Sequence, residues 1–258
     1  MVNQGRTVAR EIVSMRFESP EDELHAFMRL KGSIRDETWP LRYFGIIHAQ
    51  FPDGATQPLI GFEGLEHTRF IPQADGSFIM IESMVTYFTD PVTGDYLTTF
   101  ENPLTGKTVE PVSNYAAGES YNFSTTAITP LFGDYTDPGK GMGLRWFRSN
   151  DRVCVQYDRT YPDQWFKPAS ELITFEGRAD DVFAPDIGGV EAAFSSTTIL
   201  PWFGWLGMGD SPGWTLWHAN GFKVRTLDRL PQRLLDHLKK HHPHALLTPG
   251  EGNWKGMG

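Results

Sequence analysis

The sequence is poor in the residues that build disulfides, thiolate metal sites and nucleic-acid interfaces. Its single cysteine, Cys154, excludes an intramolecular disulfide, a CxxC motif and a cysteine metal cage. The 23 Lys and Arg residues and 32 Asp and Glu residues give a net charge of -9. The sequence has no cluster of basic residues that could bind a phosphate backbone. We therefore expect no nucleic-acid partner, and no attraction to an anionic membrane surface.

Long apolar runs are also lacking. No run approaches the roughly 18 apolar residues of a membrane-spanning helix, and the N-terminal stretch MVNQGRTVAREIVSM has no continuous apolar segment of the secretory type. We expect no membrane partner and a cytoplasmic location. The 258 residues, 40% of them hydrophobic, can bury a sizeable core.

Familiar catalytic motifs are missing. The sequence has no HExxH, no GxSxG, no SxxK and no GxGxxG, and GKGMG at Gly139–Gly143 lacks the frame of a phosphate-binding loop. We therefore expect no organic cofactor and no resident metal. Strands could still bring His48, His67, Glu82 and His218 together, which leaves a metal-dependent hydrolase or oxygenase as one alternative.

Two helices frame the chain. The first is predicted over Pro20–Lys31, with Ser19 as its N-cap, proline at its first position and Gly32 at its C-terminal end. The second is predicted over Leu230–His241, where leucines recur at helical spacing before cations and a proline.

The chain between the helices alternates with the period of β-strands. The turns Asp90–Gly94 and Asn102–Gly106 lie twelve residues apart, which predicts an antiparallel meander of the three strands Ser77–Thr89, Asp95–Glu101 and Lys107–Val112. Ser113–Gly143 is expected to be irregular. About ten strands predict a mainly β protein: one domain over residues 1–258, an antiparallel barrel or strongly curved sheet with a helix at each end. The folded body would span about 20–250, with residues 1–18 and 251–258 loosely held.

Several segments together resemble a known family. They are PLIGFEG, the strand containing IES, TYFTDPVTGDYLTTFENPLTGKTVEP, LPWFGWLGMGDSPG and LPQRLLDHLKKHHP. In this order, over roughly residues 24–250, they resemble the DUF1838 family of bacterial proteins, and the paired xPxTG turns are the most specific part. The family name marks a function that was unknown when the family was defined, so the resemblance implies no residue roles.

An aromatic stretch, Leu200–Asn220, contains half of the eight tryptophans, namely Trp202, Trp205, Trp214 and Trp217. Glycines and prolines between them indicate a sharply bent chain. The stretch could cover one end of the core, line the mouth of a pocket with Asp210 and His218 at its edge, or form the contact of a homodimer.

Glu82 is the most informative ionisable residue. Alternation places it on the same strand face as Phe78, Met80, Met84, Thr86 and Phe88. If that face points inward, desolvation should raise the carboxyl pKa and make Glu82 a candidate acid or base. The alternative is a structural ion pair with a buried arginine such as Arg42 or Arg145.

His48 shares a predicted strand face with Arg42, Phe44, Ile46 and Gln50, so this face lines a polar cavity or faces solvent. His218, which aligns with Trp214 and Leu216, is the second candidate histidine.

These features lead to a functional hypothesis. We expect a cofactor-independent lyase or isomerase acting on a small aromatic molecule, such as a lignin-derived phenolic dimer that releases formaldehyde. His48 or Glu82 would be the base, Arg42 or Tyr157 would stabilise a phenolate, and His218 would be a further catalytic candidate. The substrate would contact Phe44, Tyr121, Trp202, Trp205, Trp214 and Trp217. A non-catalytic carrier or sensor of an apolar ligand is the main alternative.

Overall fold

The computed structural model describes residues 13–131, 143–160 and 170–250. In chain order its strands are β1 (Val13–Ser14), β2 (Thr38–Gln50), β3 (Thr56–Pro72), β4 (Phe78–Thr89), β5 (Phe100–Glu101), β6 (Thr108–Val109), β7 (Asn114–Phe123), β8 (Ile128–Pro130), β9 (Arg145–Ser149), β10 (Arg152–Thr160), β11 (Ser170–Arg178), β12 (Ala192–Leu200) and β13 (Trp214–Lys223). The α-helices are α1 (Pro20–Lys31), α2 (Ala179–Val182) and α3 (Gln232–His241).

Eleven of these strands form a single antiparallel sheet, in the order β1-β9-β10-β11-β12-β13-β2-β3-β4-β7-β8. The mainly β prediction is therefore confirmed, and the two predicted helices correspond to α1 and α3. Within the part of the chain that the structure describes, no pairing joins the edge strands β1 and β8, so the sheet is open rather than a closed barrel.

Helix α1 lies against the concave face of this sheet. Ser19 caps it by accepting a hydrogen bond from the Asp22 amide at 3.1 Å, and Pro20 occupies the first turn, as the sequence predicts. Phe27 and Met28 are fully buried. They belong to a core that includes side chains from β2, β3, β4, β7, β9, β10 and β11. The sheet therefore curls around the helix.

Two further clusters complete the core. The aromatic cluster occupies another part of the concave side, where Phe62 and Phe88 pack against Trp217 and the 3₁₀ turn Gly204–Leu206. On the convex side, the apolar stripe of α3 covers β3 and β4, with Leu234 and Leu238 fully buried.

The predicted meander is present in reduced form. Thr89 and Tyr96 form one antiparallel bridge across the first turn, and β5 pairs antiparallel with β6 across the second. These two short strands form a separate two-stranded sheet, however, and the neighbours of β4 in the main sheet are β3 and β7. The turn chemistry itself is present, since Gly94 and Gly106 have φ values of 76° and 67°. The second turn leaves the main sheet because buried Asn102 donates a hydrogen bond to the Leu206 carbonyl at 2.8 Å, which anchors the loop to the tryptophan-rich bend.

The expected irregular segment Ser113–Gly143 is also corrected, because Asn114–Phe123 and Ile128–Pro130 are strands of the main sheet. Residues 132–142 of that segment lie outside the described residues. At the N-terminus, Val13–Ser14 pair with β9, although the sequence assigns them to a loosely held end.

Candidate functional site

One lysine and two glutamates meet on the concave face of the sheet. Lys31 Nζ, at the last residue of α1, lies 2.8 Å from Glu82 Oε1 and 3.2 Å from Glu66 Oε1. The side chains of Lys31, Glu66 and Glu82 are only 7%, 13% and 7% exposed. We call these three residues the Lys–Glu–Glu site.

Strand alternation and one glycine create this site. Glu66 on β3 and Glu82 on β4 point to the concave face, and Thr68 donates a hydrogen bond to Glu66 Oε1 at 3.1 Å. Beside them, Tyr43 crosses over Gly64, where an added Cβ would lie 2.3 Å from the Tyr43 ring. The absence of a side chain at Gly64 therefore makes room for a tyrosine ring in the wall of the site.

The hydroxyl of Tyr43 reaches β4. It donates a hydrogen bond to the Val85 carbonyl at 3.1 Å and lies 2.6 Å from the hydroxyl of Thr86. Burial, partly opposed by the Thr86 hydrogen bond, raises the pKa of Tyr43 above its ordinary value, so its hydroxyl keeps its proton.

The proton balance of the site follows from its charges. Burial, and then repulsion from Glu82, raise the pKa of Glu66 to about 8, despite the opposing effect of Lys31. The carboxyl groups of Glu66 and Glu82 are also hydrogen-bonded to each other. Although burial opposes it, attraction to both glutamates holds the pKa of Lys31 well above its ordinary range. At neutral pH the site therefore contains the Lys31 ammonium group beside a Glu66 carboxyl that largely keeps its proton.

This arrangement can both accept and release a proton. A carboxylic acid that keeps its proton, next to a second carboxyl group, is the usual starting point for assigning an acid and a base. The adjacent ammonium group can stabilise negative charge that develops on a bound molecule. The site thus has the groups that acid–base catalysis requires.

Aromatic side chains surround the site. Tyr157 on β10 interacts electrostatically with Lys31, and its ring packs edge-on against Phe27 at a centroid distance of 5.3 Å. Burial raises the pKa of Tyr157, so its hydroxyl remains a hydrogen-bond donor. Lys31 Nζ also lies 5.8 Å from the centre of the Phe175 ring.

Five of the residues singled out in the sequence belong to the concave side. Glu82 is a member of the site, and Tyr157 and Tyr121 belong to the core around α1. Trp217 is part of the aromatic cluster, and Trp205 packs against it, 4.7 Å from the ring of Phe88.

Two other tryptophans are held by hydrogen bonds of their indole groups. Trp202 packs against the aromatic cluster and donates a hydrogen bond to the Ser211 carbonyl at 2.9 Å. Trp214 donates one to Gln50 Oε1 at 2.6 Å. Both contacts stabilise the bend, which is consistent with its role as cover of the core.

The expected grouping of Arg42, Phe44 and His48 with Glu82 does not form. On β2 the buried residues Tyr43 and Ile47 face the concave side, so the alternating positions 42, 44 and 48 face the convex side. Arg42 pairs there with Glu63 at 2.7 Å and its guanidinium lies 4.6 Å from the Phe44 ring.

His218 also faces away from the site. It is exposed, and its Nδ1 lies 3.3 Å from the Thr197 hydroxyl. The suggested arginine partners of Glu82 are wrong as well, because Arg145 pairs with Asp158 at 3.0 Å and the cation beside Glu82 is Lys31. We expected an arginine as the partner of Glu82, whereas the actual partner is a lysine at the end of helix α1.

Sequence reasoning missed Lys31 and Glu66. Lys31 resembles any cation in the last turn of a helix, where it complements the dipole. Glu66 lies in GLEHTRF, and its alternation with Thr68 and Phe70 would have placed it on the same face as that buried phenylalanine. The pairing of Glu66 with Glu82 depends on the register of β3 against β4, which the sequence does not give.

The described part of the chain contains neither a metal centre nor a membrane-spanning helix. Among residues 13–131, 143–160 and 170–250, no three His, Cys, Asp or Glu side chains form a group that could hold a metal ion. In these same ranges, none of the helices has the length and apolar character needed to cross a membrane.

Comparison with protein families gives a match that covers most of the chain. The model described as "Protein of unknown function (DUF1838)" matches residues 36–253. The chain belongs to the DUF1838 family. The resemblance expected from the paired turns is thereby confirmed, and the Lys–Glu–Glu site has two of its three members, Glu66 and Glu82, within the matched region.

Comparisons with individual proteins add little to this result. No curated protein matches the chain. The crystal structure of Rv2717c from M. tuberculosis is similar over 81% of this chain and 98% of that chain, at 14% identity and a TM-score of 0.23. A similarity with so low a TM-score carries no argument about fold or function.

Proposed function

We propose that this protein is a cofactor-independent lyase that cleaves a C–C or C–O bond of a small phenolic molecule by acid–base chemistry. The observation that supports the proposal is the Lys–Glu–Glu site, in which two hydrogen-bonded carboxyl groups share the neighbourhood of a single buried ammonium group. One cation cannot neutralise two carboxylates, so one carboxyl retains a proton that chemistry can use.

The groups around the site support the proposed substrate class. Phenylalanine and tyrosine rings on the concave side suit an aromatic compound, and the proposed substrate is a lignin-derived dimer with a primary alcohol. A base removes the hydroxyl proton, the neighbouring C–C bond breaks, and formaldehyde leaves. The electron pair of that bond forms a C=C bond as an aryl oxygen is expelled, and this oxygen takes up a proton. The reaction consumes one proton acceptor and one proton donor and needs no oxidant or reductant.

Each member of the site has a role in this reaction. Glu82, 2.8 Å from the Lys31 ammonium group, is the base, and the protonated Glu66 is the acid that protonates the leaving oxygen. Lys31 and the Tyr157 hydroxyl stabilise the negative charge that develops on the departing phenolate. The proposal includes a strongly curved sheet around the site and a cytoplasmic location.

Glutamine variants test the proposal. Wild-type protein, E66Q and E82Q are incubated with a panel of phenolic dimers, and formaldehyde and the unsaturated aromatic product are quantified. Each glutamine keeps the side-chain shape but cannot act as acid or base, so turnover should fall by about 10²–10⁴-fold in both variants. E176Q is the matched control, because Glu176 lies on the convex face in an ion pair with Arg152 at 2.8 Å. Full turnover by either E66Q or E82Q would contradict the assigned roles.

A non-catalytic carrier of an aromatic ligand is the second candidate. The observation in its favour is the ion pair between Lys31 and Glu82, since buried pairs of this kind also serve a purely structural purpose. The same panel separates the two functions. Stoichiometric quenching of tryptophan fluorescence by a dimer that is never converted would favour the carrier, whereas product formation that depends on Glu66 would favour the lyase.

A further inference from the structure

A second buried lysine lies at the end of α1. Lys223, on β13, is only 1% exposed, and its Nζ donates hydrogen bonds to the carbonyls of Arg29 and Gly32, each at 2.6 Å. The same nitrogen lies 4.4 Å from the centre of the Trp39 ring. In the described part of the chain Lys223 forms no salt bridge, so backbone carbonyls and a ring face are its partners.

Burying a lysine without a carboxylate partner costs folding free energy. In return, Lys223 supplies hydrogen-bond donors to the end of α1. The last carbonyls of a helix have no partner within the helix, and they mark the negative end of its dipole. Lys223 binds two of these carbonyls, and the Val190 amide donates a further hydrogen bond to Arg29 at 3.1 Å. The carbonyl oxygens of Arg29 and Gly32 therefore both accept hydrogen bonds inside the protein.

The chain around the C-terminal end of α1 is tightly packed, so Lys223 Nζ is the donor that reaches both of these carbonyls. A Cβ at Gly189 would lie 2.4 Å from the Gly32 carbonyl oxygen and 2.6 Å from the Trp39 ring, so this backbone can approach only because residue 189 is a glycine. The loop that contains Gly189 and Val190 therefore covers the end of α1 and holds it in one position.

The two carbonyls bound by Lys223 belong to residues 29 and 32, which flank Lys31. We infer that Lys223 is a positioning residue for the Lys–Glu–Glu site: by binding the backbone on both sides of Lys31, it fixes the ammonium group of Lys31 between Glu66 and Glu82. This inference rests on the proposed function for its catalytic meaning, but the positional effect can be measured without any substrate.

The position of Lys31 also affects the pKa of Glu66. The charged groups near Lys223 are Lys31, Glu37 and Arg225, and burial, followed by repulsion from Lys31, lowers the pKa of Lys223 well below its ordinary range. On the site side, Tyr43 and Tyr157 interact electrostatically with Glu66, Glu82 and Glu171. Loss of Lys223 would loosen Lys31, the cation that opposes the raised pKa of Glu66. The charged form of Glu66 becomes less favourable when Lys31 is no longer held beside it, so its titration should move to higher pH.

The experiment compares K223M, which removes the donor and any charge, with K223Q, which keeps an N–H donor without a charge. The readout is the pH titration of the Glu66 side-chain carbonyl carbon, followed by ¹³C NMR. We expect the midpoint to rise by about one pH unit in K223M, a change of about tenfold in proton affinity, and by less in K223Q. L238A is the control, because it opens a cavity under α3 and destabilises the protein away from the site. A purely structural lysine would lower stability in K223M, as in L238A, without moving the midpoint, and that result would overturn the inference.

Two further readouts separate this inference from the proposed function. If the wild-type protein converts no phenolic dimer, the lyase proposal fails, yet the shift of the Glu66 midpoint still decides the role of Lys223. If neither Lys223 variant folds, ¹⁵N NMR of the wild-type lysine side chains takes their place. A slowly exchanging Lys223 signal with couplings to the Arg29 and Gly32 carbonyl carbons supports the inference, and a rapidly exchanging signal without them contradicts it.

Discussion

Replacing Glu66 by glutamine should remove a specific part of the pH dependence of the free energy of unfolding. In the folded protein the pKa of Glu66 is raised to about 8, mainly by burial, from an ordinary value of 4.5. Between these two values the folded protein keeps a proton that the unfolded chain has released. Raising the pH therefore favours unfolding: the contribution of the protonated Glu66 is fully present below pH 4.5 and is lost as the pH rises toward 8.

The magnitude follows from the difference between the two pKa values. The interval of about 3.5 pH units, at 1.36 kcal/mol per unit, corresponds to about 5 kcal/mol across the whole range. Glutamine is neutral at every pH and has nearly the shape of the protonated glutamate, so E66Q should fold at pH 7 and lack this dependence. The difference in stability between wild type and E66Q should accordingly change by about 1.4 kcal/mol per pH unit.

The assay is urea unfolding, followed by tryptophan fluorescence, at pH 5, 6, 7, 8 and 9. Ionisable groups away from the site are common to both proteins and cancel in the difference. E176Q, which replaces a half-exposed glutamate of the convex face, should remain parallel to wild type. If the curve of E66Q also runs parallel to that of wild type across this range, Glu66 titrates alike in the folded and unfolded protein, and the proposed proton balance of the site is refuted.

Further substitutions test the geometry around the site. K31M leaves the two glutamates without their cation and should cost about 3–5 kcal/mol of unfolding free energy in the urea assay; a loss below 1 kcal/mol would contradict a buried ion pair. G64A places a Cβ 2.3 Å from the Tyr43 ring and should cost about 1–3 kcal/mol, measured by thermal unfolding, whereas an unchanged melting temperature would show that the ring is free to move. Y43F removes hydrogen bonds to Val85 and Thr86 and should cost about 1 kcal/mol in urea, with Y43L, which also removes the ring, costing more; an unchanged stability of Y43F would contradict a role for the hydroxyl. H48A changes the convex face and should leave the turnover of phenolic dimers unaltered, so a large loss of turnover would return His48 to the site.

Local chemistry allowed the helices and the face of β4 to be predicted. Ser19 and Pro20 define the start of α1 through capping and fixed φ, both of which are properties of neighbouring residues. Glu82 was correctly placed on the inner face because all of its alternating neighbours are apolar or small.

The same reasoning failed on β2, where both faces carry aromatic residues. Tyr43 and Ile47 alternate with Phe44 and His48, so periodicity defines two faces without telling which one the core takes. The choice is made by packing: Gly64 admits the Tyr43 ring on the concave side, and this space becomes visible only when β3 lies beside β2.

The Lys–Glu–Glu site itself could not be predicted from the sequence for a related reason. Lys31 and Glu82 are separated by 51 positions, and they meet because α1 packs inside the curve of the sheet. The separation of β5 and β6 from the main sheet was missed in the same way, because the buried contact of Asn102 with Leu206 joins residues 104 positions apart. Long-range packing decided each of these cases.

The most direct test of the account is the titration of Glu66 in the wild-type protein, observed by ¹³C NMR of its carboxyl carbon. We predict a protonated carboxyl at pH 7 and a midpoint near pH 8. A midpoint near 4.5, with both glutamates ionised at neutral pH, would contradict the presence of a usable proton beside Lys31 and with it the proposed acid–base function.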